Sequence, residues 1–274
     1  VFLSFVSEYL YTGPAGGGAL LACEKNKPPV LFDFFVETPK AKEKSVGDFQ
    51  KIIADFGGTK QSFHVGMGAV GIPGVLPGLI HIHKKLGSLP FPVLVEQAIF
   101  AAKKGTKVSK NQEYLTQVLS PVISGSEQVK KLFLKEGRFL QYGDNFYNPD
   151  MAGFLENFLY EDPENFYINE VCPLFFNSFS AGGIIDFKDL VEYKVKERAP
   201  LYQNHKGFSV FTNPLPSTGG TMILGGLKVL AERGVVGVEE IEEALMSSQD
   251  VGRSFSSPIG STTHLSIIDK NKNV

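Results

Sequence analysis

The chain has 274 residues, 43% of them apolar and 20% charged, enough for one large domain or two small ones. Its 27 basic and 29 acidic residues leave a net charge of -2, which gives no electrostatic reason to expect nucleic acid, and the short lysine runs read as solvated faces. No apolar run reaches the roughly 18 residues that span a membrane, and two cysteines far apart, Cys23 and Cys172, make neither a disulfide framework nor a zinc site; both read as buried free thiols.

Val1-Phe2-Leu3-Ser4-Phe5-Val6 starts in apolar sequence without the charged beginning of a signal peptide. Gly13-Pro14-Ala15-Gly16-Gly17-Gly18 reads as a flexible turn and lacks the Gly-Lys-Ser/Thr of a phosphate loop. Residues 19–24 and 29–34, apolar runs around a Lys25-Asn26-Lys27-Pro28 turn, read as a β-hairpin. Residues 40–65 are mixed and charged. The glycines of Gly66 to Gly74 predict close approach of backbone segments.

A short helix is expected from about Pro77 to Leu86, ended by Gly87. A second, Phe91 to Lys104, carries Leu94, Val95, Ala98, Ile99 and Ala102 at helical spacing, with lysines in its last turn and Gly105 just past its end. Residues 107–180 read as mainly helical and aromatic, with Phe166, Tyr167, Phe175, Phe176 and Phe179 as packing residues. Asp186 to Leu190 reads as a short capped helix, and Lys206 to Thr212 as a strand. Ser217 is the candidate N-cap of a helix ending at Gly234, and Val238 to Met246 predicts another. His264 to Asp269 reads as a last strand, followed by the turn signal Asp269-Lys270-Asn271-Lys272. Strands at both ends with helices between predict a layered α/β or α+β fold. Both ends read as cuts through a domain, so the chain is expected to belong to a larger polypeptide.

The segment that carries chemistry is Ser261-Thr262-Thr263-His264-Leu265-Ser266. A threonine hydroxyl inside a chain has no base of its own. Cutting the bond before Thr262 would give that residue a free α-amine beside its hydroxyl, so that one residue holds nucleophile and base. The bland alternative is a Ser/Thr-rich turn capping a strand.

Several motifs, in order, resemble the γ-glutamyltranspeptidase family of N-terminal nucleophile hydrolases. They are Gly16-Gly17-Gly18 before a strand; Ala69-Val70-Gly71-Ile72-Pro73-Gly74 with Gly78-Leu79; Leu86-Gly87-Ser88-Leu89-Pro90-Phe91; and Ala98-Ile99 with Ala102-Lys103-Lys104-Gly105. Then follow Gly182-Gly183-Ile184-Ile185 with Asp189-Leu190 and Tyr193; Arg198-Ala199-Pro200-Leu201; Pro214-Leu215-Pro216-Ser217-Thr218-Gly219-Gly220; and Thr262-Thr263-His264-Leu265-Ser266 with Asp269. The resemblance covers roughly residues 10–274. It implies an α+β fold, the four-layer αββα sandwich of this hydrolase type, made as a precursor that cuts itself into two subunits. Residues 1–261 would be the large-subunit part, without the family's N-terminal helix region, and 262–274 the start of the small subunit. Thr262 would be the nucleophile, with autocleavage between Ser261 and Thr262.

The implied activity is that of a self-cleaving amidase or acyltransferase, including γ-glutamyl transfer or hydrolysis in glutathione metabolism. The implied partners are a small-molecule amide or γ-glutamyl donor and the chain's own small subunit, with no cofactor and no metal. Family members are usually exported or at the cell surface.

One departure bears on substrate. The family carries an Arg in an Arg-Glu-Thr-Ala-Pro-like segment, where it grips the donor's α-carboxylate; here the segment reads Asp33-Phe34-Phe35-Val36-Glu37-Thr38-Pro39, with Val36 in the Arg position. An apolar side chain cannot replace a bidentate Arg–carboxylate contact. The stretch between the Val238 helix and Thr262 is also shorter than in the family, and Arg253 is the one Arg near the cleavage site that could stand in for the clamp. These departures keep a second reading open: a catalytically inactive relative retained as a structural or interaction protein. His264, on the same strand face as Thr262, is expected to be structural. Asp33, Glu37 and Asp269 are expected in solvated or turn-capping roles, and His81 and His83 do not share a helix face.

Overall fold

The computed structural model describes residues 1–40, 48–233, 237–254 and 264–274. Its longer strands are β1 (Gly18–Ala22), β2 (Val30–Phe34), β3 (Gln50–Asp55), β4 (Lys60–Val65), β5 (Lys196–Arg198), β6 (Leu201–His205) and β7 (Phe208–Thr212). Its helices include α1 (Val75–Leu86), α2 (Phe91–Lys104), α3 (Lys110–Val118), α4 (Pro149–Glu156), α5 (Cys172–Phe179), α6 (Phe187–Val191), α7 (Thr218–Arg233) and α8 (Val238–Ser254). The chain divides into two units, one of residues 1–18 and 34–194, the other of residues 19–33 and 195–274.

The first unit is built on aromatic packing. Helix α2 turns Val95, Ala98 and Ala102, each 0% exposed, toward a core in which Phe91 stacks on Phe158 at 5.6 Å and meets Phe2 edge-on at 5.8 Å. Small residues on that face let the rings approach, and truncating the fully buried Phe158 to Ala would cost about 3–5 kcal/mol. Helix α2 ends as its sequence predicts, at Gly105 with φ 82°, a conformation glycine adopts at no steric cost. Helix α1 begins two residues earlier than expected; its end at Gly87 is extended (φ -70°) rather than left-handed, and the Gly87 amide donates to the His83 carbonyl at 2.7 Å.

Residues 107–180 are less purely helical than expected. Thr106–Lys107 pairs with Asn145–Phe146 and Leu134–Lys135 pairs with Arg138–Phe139, short ladders around a core of Val108, Ile123, Phe133, Leu140 and Phe146. Residues 50–65 form an antiparallel hairpin, β3 with β4, that the charged composition concealed. Its signal was the Gly57-Gly58 turn; the Asp55 carboxylate accepts the amides of Gly57 and Gly58 at 3.0 and 3.2 Å and closes that turn. Helix α6 carries the expected cap, with Asp186 and Asp189 forming a capping box.

The second unit holds a sheet of order β1-β2-β5, the hairpin β6–β7, and helices α7 and α8 packed on each other. Strands β2 and β5 run antiparallel with Asp33 opposite Lys196, and Arg198 Nε donates to Asp33 at 2.8 Å. Strand β6 was not expected; β7 was, from Phe208, with Lys206-Gly207 as its turn. Helix α8 runs to Ser254, well past Met246. The expected end of α7 at Gly234 lies outside the described residues. Residues 264–269 do not form the expected strand: they join no ladder, and Leu265, Ile267 and Ile268 are exposed. Their alternation is strand-like, but a strand needs a neighbour to bond to.

Candidate functional site

The candidate nucleophile Thr262, its cleavage partner Ser261 and Thr263 all lie outside the described residues, as does the side chain of Arg253. The position that bears on substrate choice, Val36, is described in full.

Val36 follows β2, where the chain leaves the core. Phe34 is 8% exposed, Phe35 is 65% exposed and Val36 is 38% exposed, so an apolar pair faces outward directly after a buried ring. Four elements hold this corner. The Tyr193 hydroxyl donates to the Phe35 carbonyl at 2.8 Å. Glu37 and Ile72 exchange backbone hydrogen bonds of 3.1 and 2.8 Å in an antiparallel bridge. The amides of Gly74 and Val75, at the start of α1, donate to the Gly16 carbonyl at 2.9 and 3.0 Å, which satisfies donors that a helix start leaves open. The Lys40 amide lies 3.4 Å from both oxygens of the buried Asp189 carboxylate, which also accepts the Asp186 amide at 3.2 Å.

Glycine makes the approach possible. A Cβ at Gly17 would lie 2.9 Å from Val36 Cγ2 and from the Phe35 carbonyl carbon, and one at Gly71 would collide with Val36 Cγ1. A Cβ at Gly74 would strike the Phe34 carbonyl oxygen and the Tyr193 hydroxyl, and one at Gly78 would lie 2.5 Å from Phe34 Cγ. The Gly16-Gly17-Gly18 run is therefore a packing device at Gly17 and Gly18 more than a flexible turn. The sequence pointed to the Gly66–Gly74 approach and placed Tyr193 in a motif, but did not point to the Tyr193 contact with Phe35, 158 residues away.

Near the corner, an apolar cavity of about 250 Å³ is lined by Pro14, Ala15, Pro73, Leu76, Tyr167 and Cys172 among others. Burial pushes the Cys172 thiol up from its ordinary range, so it stays protonated and is no nucleophile at neutral pH. Burial likewise raises the Tyr167 phenol, whose hydroxyl donates to the Leu190 carbonyl at 3.2 Å. The expectation for the cysteines holds for Cys172; Cys23 is only half-buried.

The remaining candidates have structural partners. Asp33 binds Arg198, and Asp269 caps its own turn. His83 Nε2 lies 2.7 Å from the Leu89 carbonyl, with its ring edge-on to Phe91 at 4.4 Å. His264 Nε2 lies 2.8 Å from Ser266 Oγ. Among the described residues, no group of three potential metal ligands occurs, and no helix is long and apolar enough to cross a membrane.

The chain has counterparts among known proteins. The family profile described as Gamma-glutamyltranspeptidase matches residues 2–251. The chain belongs to the gamma-glutamyltranspeptidase family. It is 31% identical over 235 residues to the glutathione hydrolase proenzyme of Pseudomonas aeruginosa, covering 84% of this chain and 41% of that protein. It is 27% identical over 218 residues to the capsule biosynthesis protein CapD proenzyme of Bacillus anthracis, covering 80% of this chain and 36% of that one. It thus spans about two-fifths of the length of these relatives. Among solved structures, the Helicobacter pylori gamma-glutamyltranspeptidase superposes with a TM-score of 0.75 at 26% identity, over 92% of this chain and 73% of that one. The fold read from the sequence, the α+β sandwich of the N-terminal nucleophile hydrolases, is borne out by this likeness.

Proposed function

We propose that the whole protein is a self-cleaving amide hydrolase or acyltransferase whose nucleophile is Thr262. The observation that carries this reading is the ordered family match over residues 2–251, followed by Ser261-Thr262-Thr263-His264. The relatives named as proenzymes support a processed, two-chain product, with residues 1–261 in the large subunit and Thr262 opening the small one.

After cleavage, the Thr262 hydroxyl attacks the amide carbonyl carbon while the α-amine of the same residue takes the hydroxyl proton. The tetrahedral intermediate collapses, the C–N bond breaks, and the α-amine returns the proton to the departing amine. The resulting acyl ester on Thr262 is then attacked by water, giving hydrolysis, or by an amine, giving transfer.

Val36 narrows the donor. A carboxylate brought to an apolar side chain loses its hydration and gains no hydrogen bond. The donor accordingly lacks a free α-carboxylate, and an apolar acyl group packs against Phe35 and Val36. The protein acts at the cell surface or after export, as the family resemblance implies.

Two assays on the full-length protein test this. Anilides of simple acyl groups are turned over faster than γ-glutamyl anilide. The reverse preference overturns the donor assignment, and no turnover of either, with an uncut chain, favours the inactive relative, a reading for which Val36 in the Arg position speaks.

A further inference from the structure

The direction in which Val36 points is set by the two peptide groups that flank its Cα. Each peptide group is planar, so holding both planes leaves φ and ψ of the residue between them little freedom. The plane between Phe35 and Val36 is held at its carbonyl, which accepts the Tyr193 hydroxyl at 2.8 Å. The plane between Val36 and Glu37 is held at its amide, which donates to the Ile72 carbonyl at 3.1 Å. The Ile72 amide returns a bond to the Glu37 carbonyl at 2.8 Å and keeps that side in register.

Both anchors start from one place. Ile72 is 2% exposed and clusters with Cys172, Ile185 and Leu190, and the Tyr193 ring packs against the same cluster. Packing therefore seats the ring, and its hydroxyl reaches the backbone in the space that a Cβ at Gly74 would fill. Helix α6 ends two residues before Tyr193, and its Asp189 carboxylate accepts the Lys40 amide further along the same segment. Residues 35–40 are thus tied at both ends to α6 and the residues just after it. With the planes set, the Val36 methyls stand against the backbones of Gly17 and Gly71.

We propose that Tyr193 is a specificity-positioning residue. It acts through the peptide between residues 35 and 36, without touching the donor, and aims whatever side chain stands at position 36 in one direction. This rests on the donor reading above, in which Val36 faces the donor's acyl group.

Tyr193→Phe tests it, because it deletes one hydroxyl and keeps the ring in its cluster. In the full-length protein, KM for a simple acyl anilide rises about 5- to 10-fold, the size of one lost hydrogen bond, while kcat stays within about 2-fold. In a Val36→Ala background, where the aimed methyls are gone, the same substitution changes KM by less than about 2-fold. An equal factor in both backgrounds marks a merely structural role and overturns the proposal. A second readout needs no turnover and separates this claim from the donor reading. With valine methyls labelled for NMR, Tyr193→Phe moves and broadens the Val36 signals and leaves those of Val95 and Val108, buried elsewhere in the unit, in place. Unmoved Val36 signals overturn the positioning whatever the donor is. If the wild-type protein turns over no anilide, the donor reading falls and the methyl signals alone decide.

Discussion

Around Val36 the backbone is held by glycines that would each collide if given a side chain, by the Tyr193 hydroxyl, and by a reciprocal bridge to Ile72. Across residues 264–268 there is no comparable support among the described residues: the aliphatic side chains stand in solvent, and backbone hydrogen bonds are made from the Asp269 turn onward. The corner carries its stabilising contacts within its own unit, whereas residues 264–268 pair with no strand. Substitutions at the corner therefore act through local packing, whereas those at Leu265, Ile267 and Ile268 change exposed side chains.

The largest expected effect is chemical. Thr262→Ala in the full-length protein leaves the chain uncut and lowers amide turnover by at least about 1,000-fold, read by gel and by kinetics, because nucleophile and base both depend on that residue. Next is the corner. Gly74→Ala drives a methyl group into the Phe34 carbonyl and costs about 2–3 kcal/mol in a denaturation curve. Gly13→Ala, whose Cβ meets nothing within 4 Å, stays within about 0.5 kcal/mol. Equal losses at the two glycines would break the account of the corner.

Val36→Arg separates packing from recognition. Its stability falls by about 1 kcal/mol, because the site is 38% exposed but both Val36 methyls pack against the backbone at Gly17 and Gly71. Hydrolysis of γ-glutamyl anilide rises about 10-fold in kcat/KM; no gain would mean that the pocket is arranged differently.

The smallest effect concerns the Asp269 turn. Hydrogen bonds from the Asn273 amide and side chain lower the Asp269 pKa; burial opposes them, and the Asn271 amide adds a lesser lowering. A depressed carboxylate pKa contributes stability above the unfolded value, about 4, and loses it as the pH falls through the folded one. The Asn271 and Asn273 amides accordingly stay protected at neutral pH and lose protection below about pH 4, as followed by NMR. Unchanged protection at low pH would remove the carboxylate from the turn's support.

What was legible in the sequence divides along the same line. Helix α2 and the capped helix α6 were readable because apolar spacing, Gly105 and the Asp186 cap are local signals. Hairpin β3–β4 was hidden because Ile52-Ile53-Ala54 breaks the alternation of β3 and charged residues surround both strands, leaving the Gly57-Gly58 turn as a sign. Residues 264–269 read as a strand because alternation does not reveal whether a partner is present. At the candidate site, the glycines foretold a close approach, and Val36 could be singled out only by family resemblance. The Tyr193 contact was invisible, since nothing local ties position 193 to position 35.

Intact mass and N-terminal sequencing of the full-length protein test the central claim most directly. The account predicts two fragments, the smaller beginning at Thr262. A single uncut chain with no turnover of any γ-glutamyl or acyl amide would contradict it.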